Sequence, residues 1–311
     1  MLSVNKILFP VDFSERCQSA APYIAELANQ LRARLDLLHV IEGGSHIAEL
    51  RRQSAAALAA FARHIPHGMY CPQTVALGDP AEAIVRYAKT HRIDAIAMPH
   101  GSNSSLSHPA SVTGKVLRDT ACAVWTGPFT GRPRADRGPV LCAVDLEGAD
   151  EQVLSYASAL ARDLRSALMV VSAVPARAVA AHAAAANGGP WHDHSHLSFE
   201  LSRIEAQYKL DELLQSMNVS AEATIETGTP EESIGRAAER TGAALLVLGR
   251  GSRAGESGGM DTYELVRTAP CPVVFCPPRP AAPVCFWTEW QQEEHSQQAD
   301  SSLDLVSGLS R

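Results

Sequence analysis

Lys6-Ile7-Leu8-Phe9-Pro10-Val11-Asp12 opens the chain, and Pro139-Val140-Leu141-Cys142-Ala143-Val144-Asp145 reopens it with the same kind of apolar run ending in an acid. A short apolar run followed at once by helix-patterned sequence predicts a buried strand leading into a helix. The helix pattern covers residues 20–35 after the first run and 153–168 after the second. A second strand follows in each copy, Leu37-Leu38-His39-Val40-Ile41 and Met169-Val170-Val171-Ser172-Ala173. Farther on, Gly78-Asp79-Pro80-Ala81-Glu82-Ala83-Ile84 matches Gly228-Thr229-Pro230-Glu231-Glu232-Ser233-Ile234. A turn glycine, proline at the first helical position and glutamate in the first turn mark a helix start.

Each of those helices leads to another apolar run, residues 95–98 or 244–248, then a small-residue loop and a helix. The closing phrases also correspond, Val116-Leu117-Arg118-Asp119-Thr120-Ala121-Cys122-Ala123-Val124 and Leu265-Val266-Arg267-Thr268-Ala269-Pro270-Cys271-Pro272-Val273. Five strands thus alternate with four helices, twice. Apolar strands alternating with helices predict a parallel sheet covered on both faces, because crossovers between parallel strands run over the sheet. The expected fold class is α/β: two tandem, doubly wound, five-stranded parallel-sheet sandwiches, Rossmann-like, with ligands at the C-terminal edge. Pro10 cannot donate to a ladder, which places it near the strand end.

At 311 residues the chain is long enough for two domains, each with its own core. The expected boundaries are residues 1–130 and 136–278, with a loop extension at about 176–201 and a flexible tail at 279–311. The composition, 46% hydrophobic and 20% charged, is that of a globular protein, and no apolar run approaches the length of a membrane span. The N-terminus lacks the regions of a signal peptide, so a cytoplasmic location is expected. A net charge of −7 without a dense Lys/Arg cluster argues against nucleic acid or an anionic membrane as partner. Cys17, Cys71, Cys122, Cys142, Cys271, Cys276 and Cys285 include no CxxC pair and read as reduced, mostly buried residues.

Taken in order and occurring twice, these segments resemble the universal stress protein family in its tandem two-domain form, over roughly residues 5–278. The likeness is carried by ILFPVDFSE, LLHVIE, GDPAEAI with GTPEESI, and the closings SVTGKVLRDTACAVWTGP and APCPVVFCP. The resemblance implies a five-stranded parallel sheet per domain, domain pairing through the fifth-strand edge, and a stress-related role. It also implies an adenine nucleotide, ATP with Mg²⁺ or another, at the C-terminal edge of the sheet. Asp12 and Asp145 would face adenosine, and the backbones of Val40 and Ala173 would meet the adenine ring.

ATP-binding members carry Gly, two residues, Gly, nine residues, then Gly with Ser or Thr at a helix start. Glycines let backbone N–H groups approach phosphate, and the helix start carries partial positive charge. In the first copy Pro99 and Ser102 take the places of the first two glycines, and Ala110-Ser111 takes the Gly-Ser place. Gly101, Ser111, Val112 and Lys115 remain, with no acid between Met98 and Arg118. In the second copy Gly249 and Gly259 fit the outer glycines, but Ser252 fills the middle place and Met260 replaces the Ser or Thr. Glu256 and Asp261 would repel a triphosphate there. Both sites are therefore degenerate, and the first is the better candidate.

His192, His194 and His196 alternate in the extension and could hold a divalent metal, but no cysteine or second carboxylate completes a site, so a surface loop is the default. Ser14 and Ser111, with His39 and His100 nearby in the cleft, show no GxSxG elbow or triad order, and Ser14 reads as a helix N-cap. Asp12 could carry Mg²⁺ with a nucleotide or cap the following turn. Phe286, Trp287 and Trp290 in the tail could pack on the body or meet a partner. The function expected is a non-catalytic, binding stress-response protein. A slow ATPase using Asp12, Gly101 and Ser111 is the enzymatic alternative. The third is an interaction module without nucleotide, presenting the tail or histidine loop to a protein partner or a second copy.

Overall fold

β1 (Lys6–Pro10) and β6 (Val140–Val144) are the two opening runs, and their middles are fully buried. The computed structural model describes residues 4–65, 69–100, 111–129, 138–146, 150–174, 195–250 and 262–277. After β1 come α1 (Glu15–Gln30), β2 (Arg34–Ile41), α2 (Ile47–Phe61), β3 (Gln73–Leu77), α3 (Pro80–His91), β4 (Ala95–Pro99), α4 (Val112–Asp119) and β5 (Ala123–Gly127). After β6 the same order returns as α5 (Asp150–Leu164), β7 (Leu168–Val174), α6 (Ser195–Ser216), β8 (Glu222–Thr227), α7 (Pro230–Thr241), β9 (Leu245–Leu248), α8 (Thr262–Thr268) and β10 (Val273–Phe275).

The strands form one ten-stranded sheet in the order β3-β2-β1-β4-β5-β10-β9-β6-β7-β8. Within each half every pairing is parallel, and the order reverses direction beside the first strand, as in a doubly wound fold. The halves meet where β5 runs antiparallel to β10, with Trp125 opposite Val274. This is the fifth-strand pairing that the resemblance implied. Because the junction is antiparallel, the two C-terminal edges point in opposite directions. The sheet and its helices make one compact unit, and one apolar cluster runs from Phe9 and Trp125 to Tyr156 and Val274. Trp125 Nε1 donates to Tyr156 Oη on α5 at 3.4 Å, so a first-half strand packs on a second-half helix.

Pro10 is the last residue of β1 and pairs with Leu38 on one side, while the β1–β4 register stops at Leu8 opposite Ile96. Its missing N–H thus falls where the ladder has ended. Ser14, Asp79 and Thr229 cap α1, α3 and α7, each accepting a backbone N–H three residues on.

The helix bounds differ from the pattern. α1 begins at Glu15 after the Ser14 cap, and α1 and α5 end at Gln30 and Leu164 because left-handed turns at Arg32 (φ 54°) and Arg165 (φ 55°) send the chain into β2 and β7. Arginine gives no turn signal of the kind glycine gives, so Leu35 and Leu168 read as helix although they belong to strands. Residues 195–201 of the expected loop extension belong to α6. His192 and His194 lie outside the described residues, as does the side chain of His196. The tail with Phe286, Trp287 and Trp290 lies outside them too. No described helix is long and apolar enough to cross a membrane.

Candidate functional site

Where β1, β2 and β4 end, the chain leaves the sheet in different directions and opens a cleft of about 420 Å³. Asp12, Val40, Ser111 and Val112, all expected site residues, lie in its lining together with His39 and Met98. Gly101 is outside the described residues. A hollow of about 570 Å³ lies between Pro139, Leu168, Glu222 and Arg240, where second-half strands begin. Ligands of parallel sheets sit where strands end, so the smaller cleft is the candidate.

Asp12 Oδ1 accepts from the Ser14 backbone N–H at 2.9 Å and from Ser14 Oγ at 2.6 Å, and Arg16 lies 3.8 Å from Oδ2. It therefore caps the following turn and still shows an oxygen to the cleft. Partial burial opposes its charge, but hydrogen bonds from Cys17 and Ser14 and the Arg16 charge outweigh that cost, holding the carboxyl below its usual range. The next residue, Phe13, has φ 60°, a conformation uncommon for a bulky side chain. His39 holds this turn: its Nδ1 lies 2.8 Å from Val11 O, and its ring packs on Phe13 with centroids 4.4 Å apart. A carbonyl only accepts, so Nδ1 carries the proton.

These commitments bear on catalysis. Ser14 Oγ is spent between Asp12 and the Cys17 N–H, and Ser111 Oγ accepts from Gly114 N–H at 3.0 Å as the cap of α4. His39 faces a backbone carbonyl through Nδ1 rather than either serine. Burial pushes the Cys17 thiol up to about 12, which suits a core residue and not a nucleophile. The first turn of α4 has no acid, and Lys115 beside it lies 3.4 Å from Asp79, the cap of α3. The arrangement can receive an anion at α4 and a hydrogen-bonding ring along β2.

The second half is built differently at the same places. Asp145 follows β6 and Leu146 repeats the left-handed turn with φ 58°, but the Asp145 N–H donates to the buried Asp150 Oδ1 at 3.1 Å. A second carboxylate thus stands beside Asp145, five residues on, at the position that Cys17 holds relative to Asp12 in the first half. Gly249 follows β9, and a Cβ there would lie 3.0 Å from Val153 Cγ2, so its glycine serves the approach of α5. Arg250 reaches across the junction to the carbonyls of Leu117, Thr120 and Cys122 in the first half. Gly259 lies outside the described residues. Among the described residues no group of three or more His, Cys, Asp or Glu side chains could hold a metal.

The family model described as the universal stress protein family matches residues 3–126 and again residues 137–277. The chain belongs to the universal stress protein family. No curated protein matches it significantly. Among solved structures, a universal stress protein from Archaeoglobus fulgidus is 19% identical, with 88% of this chain and 97% of that chain covered and a TM-score of 0.64. A putative universal stress protein from Pseudomonas aeruginosa is 23% identical, with 88% and 94% covered and a TM-score of 0.57. A functionally unknown protein, PA1789, from the same species is 23% identical, with 88% and 93% covered and a TM-score of 0.58. At these identities the likeness shows that this universal stress protein shares their fold.

The lowered Asp12 pKa has a pH signature in this universal stress protein. A carboxyl depressed on folding contributes stability above its unfolded pKa and loses it as pH falls through the folded value. Asp12→Asn is therefore expected to be less stable than the parent by a constant margin between about pH 5 and pH 8, the margin closing below about pH 4. Urea midpoints across that range check it, and a margin that widens toward acid would refute the assignment.

Proposed function

We propose that this universal stress protein acts in the stress response by binding rather than by catalysis, and that its first-half cleft holds an adenine nucleotide. ATP with Mg²⁺ is the first candidate. One observation carries the proposal: Asp12, the Val40 backbone and the acid-free start of α4 at Ser111 share a single cleft where parallel strands end. Each part has a matching ligand group. Val40 presents peptide groups of the kind an adenine edge can pair with, and Asp12 can accept from ribose hydroxyls. The first amides of α4 suit phosphate, with Lys115 beside them. Mg²⁺ would arrive on the phosphates, and Asp12 and Glu42 are the carboxylates of the lining.

The second copy is read as degenerate, since Asp150 adds a carboxylate and Arg250 is committed elsewhere. Against catalysis stand the committed serines and His39, which leave no nucleophile paired with a base among the described cleft residues. A thermal-unfolding series with Mg-ATP and Mg-GTP tests the proposal, together with an assay for released phosphate. At a hundredfold excess over Kd, ATP is expected to add about 2.7 kcal/mol of stability, GTP markedly less, and phosphate is not released. Equal stabilisation by both would remove the adenine assignment, and steady phosphate release abolished in Asp12→Ala would make the protein an ATPase.

A further inference from the structure

Arg250 stands two residues past β9, at the position that His100, part of the cleft lining, holds after β4 in the first half. Its guanidinium points into the other half. Nη1 donates to Leu117 O at 2.9 Å and Thr120 O at 2.5 Å, and Nη2 donates to Cys122 O. All three carbonyls belong to the end of α4 and the step from it into β5. The last carbonyls of a helix have no partner inside it and form the negative end of its dipole. A planar guanidinium with several donors can hold the helix-end carbonyls of Leu117 and Thr120 together with Cys122 O just before β5, which a lysine ammonium on a flexible stem does less well. Burial pulls the Arg250 pKa down, so the contact is made against a desolvation cost.

α4 has eight residues and is about 12 Å long. Fixing one end of so short a rod fixes the other. That other end carries Ser111, Val112 and Thr113, which line the cleft, and the Gly114 and Lys115 amides that Ser111 receives. The second half thus holds the back of the helix whose front faces the first-half cleft.

We propose that Arg250 is a positioning residue for the first-half cleft: by capping α4 from the second copy, it sets the helix start against the ligand's anionic group. The proposal rests on the adenine-nucleotide reading above and extends it, because the copy with the degenerate loop then contributes to binding in the other. An arginine that only stabilised the junction would change how readily the chain unfolds, but not the affinity of the folded protein.

The test compares the full chain with Arg250→Ala and Arg250→Lys, at a temperature where circular dichroism shows all three folded. Mg-ATP titration is expected to give a Kd raised about tenfold in Arg250→Ala, within the usual range of coupling between sites, and raised less in Arg250→Lys. Amide hydrogen exchange in the absence of nucleotide is expected to quicken at Gly114 and Lys115 in Arg250→Ala, while the central strands β1 and β6 keep their protection. A lower unfolding temperature with Kd within twofold of the parent, and unchanged exchange at those two amides, would overturn the proposal. If the parent chain itself gives no heat, the nucleotide reading fails, and exchange at Gly114 and Lys115 alone decides whether Arg250 positions α4. Should Arg250→Ala fail to fold, Arg250→Lys carries both measurements.

Discussion

Trp125→Ala is expected to lower the unfolding free energy by about 3–5 kcal/mol, and to do so for both halves together. Trp125 is the largest fully buried side chain among the described residues. It lies on β5 opposite Val274 and donates to Tyr156, so truncation opens a cavity where the halves join and leaves the tyrosine hydroxyl without that donor. The shared apolar cluster and the continuous sheet couple the two copies, and urea unfolding should remain one transition with a lower midpoint. Trp125→Phe keeps most of the volume and should lose about a third as much. A variant unfolding in two steps, with only the first-half step displaced, would show that the copies are energetically separate.

Arg34→Ala is expected to cost about 3 kcal/mol, the low end for breaking a buried ion pair. Asp36 is fully buried on β2, where Arg34 Nε and Nη2 each lie 2.6 Å from its oxygens and Tyr87 Oη donates at 3.1 Å. Removing the guanidinium leaves a buried carboxylate whose one remaining donor among the described residues is the neutral Tyr87 hydroxyl. Arg34 is itself 41% exposed, so water reaches the vacated place and limits the loss. The double variant Arg34→Met with Asp36→Leu should recover most of the stability, because the desolvation cost goes with the charge. A chemical-denaturation cycle over the single and double variants measures this, and additive losses would contradict the pairing.

What could be read from the sequence was whatever depends on local order. Apolar runs bounded by helix starts, the repeated GDP and GTP phrases and the two acids after the first strands set the count at five strands per half and placed the cleft edge, while the third strands, Gln73–Leu77 and Glu222–Thr227, were counted without being located. The resemblance supplied the fifth-strand pairing. What escaped depends on partners far along the chain. Asp36 interrupts an apolar strand, and only its pairing with Arg34 and Tyr87 explains it. Arg250 looks like a solvated loop cation until α4 of the other half is placed beside it. Phe13, Leu146, Arg32 and Arg165 adopt left-handed turns without glycine, because the surrounding strands and rings impose a conformation that local preference disfavours. His39 carried a partial signal as a histidine at the end of an apolar strand, but its carbonyl partner, Val11, lies on another strand's exit.

The central claim is that nucleotide binds in one copy and not in the other. Calorimetric titration of the intact chain with Mg-ATP, run in parallel on Asp12→Ala and Asp145→Ala, tests it most directly. The account predicts micromolar binding at one site per chain, abolished by Asp12→Ala and untouched by Asp145→Ala. No heat at millimolar ATP, or binding lost with Asp145→Ala and kept with Asp12→Ala, would contradict it.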